Sequence, residues 1–172
     1  MLQLEKHDAF FAAVTLVNEK HGEENVKATS LRLRLRGPNT LLDAIKPGLR
    51  QFLYRPAAPG EQIDLYQGVE DLVALRDPRL KQLKFDDEFP GYTLTLHTGL
   101  GLSSELVFRD VTLRRFAVAA IEGGSCEITF SALVHPTRIE MGNLGALLQE
   151  SNEITLAPPT GAEAGTQQDL AA

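Results

Sequence analysis

The sequence predicts a mainly β protein: an antiparallel β-sandwich or partly open barrel with two short helical insertions. Three observations carry that expectation. From Leu31 to Arg36, leucine alternates strictly with arginine, and a period of two belongs to a strand with one buried face. Tyr92 to Thr98 alternates in the same way. Between Asp110 and His135, two long β-prone runs flank Glu122-Gly123-Gly124-Ser125, a strong hairpin signal.

The elements follow in chain order. The apolar run from Ala9 to Val17 reads as a first strand, and the polar stretch 18–25, with Gly22 in it, as the loop behind it. After the Leu/Arg strand, Gly37-Pro38-Asn39-Thr40 opens a helix that Asn39 or Thr40 can cap. Leu41, Leu42, Ile45, Leu49, Phe52 and Leu53 give that helix one apolar face. Pro47-Gly48 must split it, because proline removes a backbone donor. The expected pieces are 40–46 and 48–54. Residues 62–85 read as mostly loop with a short helical turn or two, and residues 86–91 as a turn. Strands follow at Tyr92–Thr98 and from Glu105 onward, with a flexible loop at 99–104 between them. Glu140–Ser151 reads as an amphipathic helix and Glu153–Ala157 as a last strand. Residues 1–158 are expected to form a single β-rich domain, and 159–172 a flexible C-terminal tail.

The central hairpin admits a specific register. With Gly123 and Gly124 as a two-residue turn, Ile121 faces Cys126, Ala119 faces Ile128, Ala117 faces Phe130 and Leu113 faces Val134. Small residues then oppose large ones along one face. Arg115 falls on that apolar face, opposite Ala132. It must either reach solvent at the sheet's end or pair with a buried acid.

Composition bounds the function. The 172 residues, 43% hydrophobic and 23% charged, are enough to bury a core without disulfides or a structural metal. No apolar run approaches the roughly 20 residues of a membrane span, so no membrane partner is expected. The first eight residues carry charge early and show no cleavable leader. Cys126 is the single cysteine, which fits a reducing compartment. A net charge of −6 argues against non-specific coating of DNA but leaves room for a local basic surface.

Arg32, Arg34 and Arg36 are the sharpest surface feature. Three guanidinium groups on one strand face match the phosphates of nucleic acid or the carboxylates of an acidic partner. An ordinary solvated strand face, crossed by an acidic neighbour, gives the same pattern. Asp86-Asp87-Glu88 offers hard oxygens without the spacing of a calcium loop. His7, His21, His97 and His135 form no H-x-x-x-H pair and Cys126 has no C-x-x-C partner, so no metal or cofactor is expected. Cys126 reads as a small buried hydrophobe. The Gly99–Leu102 segment lacks the ending of a phosphate-binding loop, and no G-x-S-x-G elbow exists, so no enzyme is expected. Exposed strand edges leave homo-oligomerisation open.

Three phrases, HGEENVKATSLRLRLRGPNTLLDAIKPGLRQFLYR, LKFDDEFPGYTLTLHTGLG and EGGSCEITFSALVHP, span most of residues 18–158. Together they resemble a group of small proteins encoded in tailed bacteriophages and prophages. That group has no assigned activity, and its genes often lie near recombination and replication functions. The resemblance implies a protein of the infected host's cytoplasm and carries over no functional residues. Two functions are then expected. One is an accessory in phage DNA recombination or replication that binds single-stranded DNA or a recombinase through Arg32, Arg34 and Arg36. The other is an interaction protein that inhibits a host defence or repair factor.

Overall fold

A computed structural model describes residues 1–61, 72–98 and 105–160, the side chain of His21 excepted. Within them the chain runs β1 (Leu4–His21), β2 (Glu24–Pro38), α1 (Leu41–Ile45), α2 (Leu49–Leu53), β3 (Tyr54–Pro56) and β4 (Leu72–Leu75). It continues with β5 (Leu83–Phe85), β6 (Phe89–His97), β7 (Glu105–Ile121), β8 (Ser125–Val134), α3 (Arg138–Ala146) and β9 (Ser151–Ala157). The strands β1-β2-β8-β7-β6-β9 pair antiparallel in that order, and β9 returns to β1. The result is a closed six-stranded barrel, with β5 added to β7 and a separate β3–β4 ribbon. The barrel alternative is the one that forms. It is closed rather than partly open, and no sandwich of two sheets is seen among the described residues.

Closure needs curvature, and bulges supply it. Lys6, Asp110 and Arg115 have φ of 42°, 54° and 55°, a left-handed backbone that non-glycine residues seldom adopt. Each lies at a register shift: β1 against β9, β7 against β6, and β7 against β8. Leu31, Leu33 and Leu35 point inward as the alternation predicts. The ring of Phe116 stacks on Phe85 and Phe130 at 5.5 and 5.7 Å and takes the edge of Phe89 at 5.4 Å. Six strands enclose only enough space for side chains. The interior is a packed core of apolar side chains.

The helical insertions close the two ends. At the end marked by the β7–β8 turn, α1 and α2 bury Leu42, Ile45, Leu49 and Leu53. The break at Pro47-Gly48 falls as expected, with Gly48 at φ 82°. Neither Asn39 nor Thr40 caps α1 with its side chain. Asn39 is buried, and its side chain donates to Leu72 O at 2.6 Å and accepts from Arg50 Nε at 2.8 Å. At the other end α3 buries Leu144, and Leu147 follows it into the core. A capping box of Thr137 and Glu140 starts this helix.

The central hairpin departs from the expected register. Glu122, Gly123 and Gly124 form a three-residue loop, so Ile121 pairs with Ser125, Ala120 with Cys126 and Val118 with Ile128. Past the bulge at Arg115, Leu113 pairs with Ala132. The buried face of β8 is the expected one, but near the turn β7 presents Val118 and Phe116 inward instead of Ala119 and Ala117. The larger apolar groups win the core, since burying a phenylalanine or valine is worth about 1.5–3 kcal/mol. The bulge then expels Arg115 to solvent in mid-strand, not at the sheet's end.

Other boundaries also move. The polar stretch 18–25 is mostly strand, tightened to a turn around Gly22. Short strands β4 and β5 lie where loop was expected, and Phe89-Pro90-Gly91 belongs to β6. The expectation of a helical turn or two within 62–85 is not met over 72–85, which hold β4, a turn at 77–80 and β5, while residues 62–71, the loop 99–104 and the tail beyond residue 160 lie outside the described residues. No helix among the described residues is long and apolar enough to cross a membrane.

Candidate anion-binding groove

The arginine stripe lies on the outer barrel wall, where the leucine alternation puts it. Its three members have different surroundings. Arg36 reaches Glu127 Oε2 on β8 at 3.8 Å with most of its side chain in solvent. Arg34 lays its guanidinium over the Phe10 ring of β1, 4.8 Å from the centroid. Arg32 alone is half-buried, and its Nη1 donates to Arg115 O at 2.8 Å and to Ser131 Oγ at 3.2 Å. The acidic neighbour anticipated for the stripe is therefore present at one end only.

The bulge explains the Arg32 contact. In a regular ladder the carbonyl of Arg115 would face its neighbouring strand. A left-handed φ at Arg115 turns it toward β2 instead, across the Ser131 position of β8. The Arg115 side chain stays exposed beside Arg32.

Arg32 and Arg115 line a groove of about 480 Å³ that crosses the outer face from β1 to β5. Lys84 of β5 adds a third cation, and Thr15, Ser30 and Ser131 add hydroxyls. Ser30 and Ser131 are buried although they face outward, so the groove has a recessed polar floor. Its apolar walls include Ala13 and Ala117, whose small side chains leave the recess open. Asp86 is the one acid at the rim among the described residues. Among those residues no carboxylate pairs with Arg32, Arg115 or Lys84. Burial, and then the positive charge of Arg115, lower the pKa of the Arg32 guanidinium from its ordinary value. Two cations held together without a counterion make a field that an anion relieves.

A second polar set lies on β6, β7 and β9. His97 Nδ1 lies 2.9 Å from Glu105 Oε1, and its Nε2 lies 2.8 Å from Thr155 Oγ1. With Nδ1–H donating to the carboxylate, Nε2 accepts the hydroxyl proton. That is the order of an orienting acid, a base and a nucleophile. Thr155 Oγ1 also accepts from Lys6 N–H at 3.3 Å, however, so the set joins four strand segments as a latch. Cys126 is fully buried, and burial pushes its thiol up to about 11, away from nucleophilic chemistry. Among the described residues no group of three or more His, Cys, Asp or Glu is placed to hold a metal ion.

Comparison with known protein families, with curated proteins and with solved structures finds no match. The groove therefore carries the functional argument by its chemistry. The leucine alternation puts Arg32 on the outer wall, whereas Arg115 and Lys84 join it only through the strand order. Lys84 sits in Leu83-Lys84-Phe85, a one-period alternation that marks a short strand. Arg115 on an otherwise apolar face was itself the signal for a bulge.

Proposed function

We propose that this chain is a non-catalytic, phage-encoded accessory of DNA recombination or replication that binds single-stranded DNA through the Arg32 groove. The phage setting rests on the resemblance of residues 18–158. The observation that carries the binding reading is the Arg32–Arg115 couple, which no carboxylate among the described residues pairs, over a recessed hydroxyl floor. A phosphodiester supplies the missing negative charge and accepts bonds from guanidinium and hydroxyl donors alike. Arg34 and Arg36, exposed on the same wall, continue the track for neighbouring phosphates. Inhibition of a host nucleic-acid-binding factor by mimicry asks for phosphate-like acids, and this groove has the opposite sign.

Fluorescence anisotropy of a labelled oligo(dT) at low salt tests the reading. Arg32→Glu is expected to weaken binding at least about 10-fold. Arg32→Ala is expected to lower the slope of log K against log salt by about 0.7, the value for one lost single-strand phosphate contact. Absence of binding by the unaltered chain at low salt would falsify it.

A further inference from the structure

On the other side of β5 lies a second groove, of about 400 Å³. Its chemistry differs from that of the first. Leu49, Phe52, Leu83 and Phe85 line it, and Phe52 is 62% exposed, unusual for a phenylalanine on a helix whose other apolar residues are buried. Two lysines rim it. Lys46 Nζ stands 5.8 Å from the Phe85 ring centroid and 3.6 Å from Asp87, and Lys84 lines both this groove and the Arg32 groove. A polycation track and an exposed aromatic thus meet at one residue. Over both grooves, Arg32, Arg115, Lys84 and Lys46 stand against Asp86 and Asp87, leaving a net positive surface on a chain of net charge −6.

We infer that the Phe52 groove is a base-stacking subsite for the same single-stranded DNA whose phosphates occupy the Arg32 groove, with Lys84 bridging the two. This inference rests on the reading of the Arg32 groove given above. Non-sequence-specific binders of single strands combine a cationic path with aromatic platforms, because every base offers a π-face. Phe52 supplies the platform, and Leu49, Leu83 and Phe85 supply apolar walls for its far edge. Lys46 is already matched to Asp87, so Lys84 is the cation left to meet the phosphate between the stacked base and Arg32. The site tolerates any base and prefers single strands, since a base inside a duplex has both faces covered by its stacked neighbours.

The chain contains no tryptophan, so Phe52→Trp installs a single reporter at an exposed position. Titration with oligo(dT) is expected to quench its emission with the same midpoint as the anisotropy of labelled oligo(dT). Inorganic polyphosphate, which has charge and no bases, is expected to leave the emission unchanged. Phe52→Ala is expected to lower oligo(dT) affinity about 5- to 160-fold while the salt slope stays as it was. If oligo(dT) binds in an Arg32-dependent way but the emission of the Phe52→Trp variant does not move, the stacking subsite is overturned and the Arg32 groove stands. Equal quenching by polyphosphate also overturns it. If oligo(dT) does not bind at all, both readings fall together.

Discussion

The hydroxyl of Tyr54 accepts from Ile121 N–H at 3.0 Å and donates to Ser125 O, so one side chain holds both ends of the β7–β8 turn. Asn39 holds the same turn from the other side, its N–H donating to Gly124 O at 2.8 Å. Tyr54→Phe removes both hydroxyl bonds inside a buried environment, and a loss of about 1–3 kcal/mol is expected in urea unfolding. Burial raises the Tyr54 hydroxyl from 10.0 to about 12 and the Cys126 thiol from 9.0 to about 11. Both groups keep their protons in the folded state at a pH where the unfolded chain has lost them. Their contribution is complete below pH 9 and lost as pH rises from about 9 to 12. Denaturation midpoints measured across that range should fall, and less steeply in Tyr54→Phe. A thiol reagent at pH 8 should label Cys126 only after unfolding. Prompt labelling of the native protein would contradict its burial. Neither tyrosine nor asparagine announced these roles in the sequence, because a hydrogen bond between residues 67 apart leaves no local pattern.

At the scale of elements, the β7–β8 hairpin shows what alternation can and cannot supply. Gly123 and Gly124 marked the turn correctly, and the inward face of β8 follows from Cys126, Ile128, Phe130 and Ala132. The register slipped by one because Glu122 joins the loop, and a two-residue and a three-residue loop carry the same glycine pair. The clue lay in β7, where Phe116 and Val118 outweigh Ala117 and Ala119 as core residues. Gly123 has φ 92° with no atom within 4 Å of a Cβ placed on it, so the cost of Gly123→Ala is backbone strain alone. We expect about 1–2 kcal/mol of destabilisation, read as a lowered melting temperature. In α3, Thr137→Ala breaks the capping box and should cost about 0.5–2 kcal/mol. The box is a local device, since Thr137 and Glu140 stand three residues apart along the chain.

For the whole molecule, the decisive pairing is β9 between β1 and β6. Three hairpins, β1–β2, β6–β7 and β7–β8, are local, but the barrel closes only when residues 151–157 return to the first strand. Deleting residues 151–172 should leave Leu4, Leu94 and Leu96 uncovered along an open seam. The expected result is loss of a single cooperative thermal transition by circular dichroism. Retention of the full transition would show that the barrel does not depend on closure. The groove depends on the same architecture, since β1, β2, β8, β7 and β5 must lie side by side for Arg32, Arg115 and Lys84 to converge.

The inward and outward faces of Leu31–Arg36, the core side of β8 at Cys126, Ile128, Phe130 and Val134, the position of the central turn and the division of the helix at Pro47-Gly48 were legible in the sequence. All of these are written in residues adjacent along the chain, and the pleat and the proline ring act at that range. Closure of the sheet, the exit of Arg115 from the core through a bulge, and the cationic companions of Arg32 beside the acid partner of Arg36 all come from pairings between segments distant along the chain. Periodicity states the direction of a side chain. It does not state which strand will lie beside it, and charge becomes a binding site only through that neighbour.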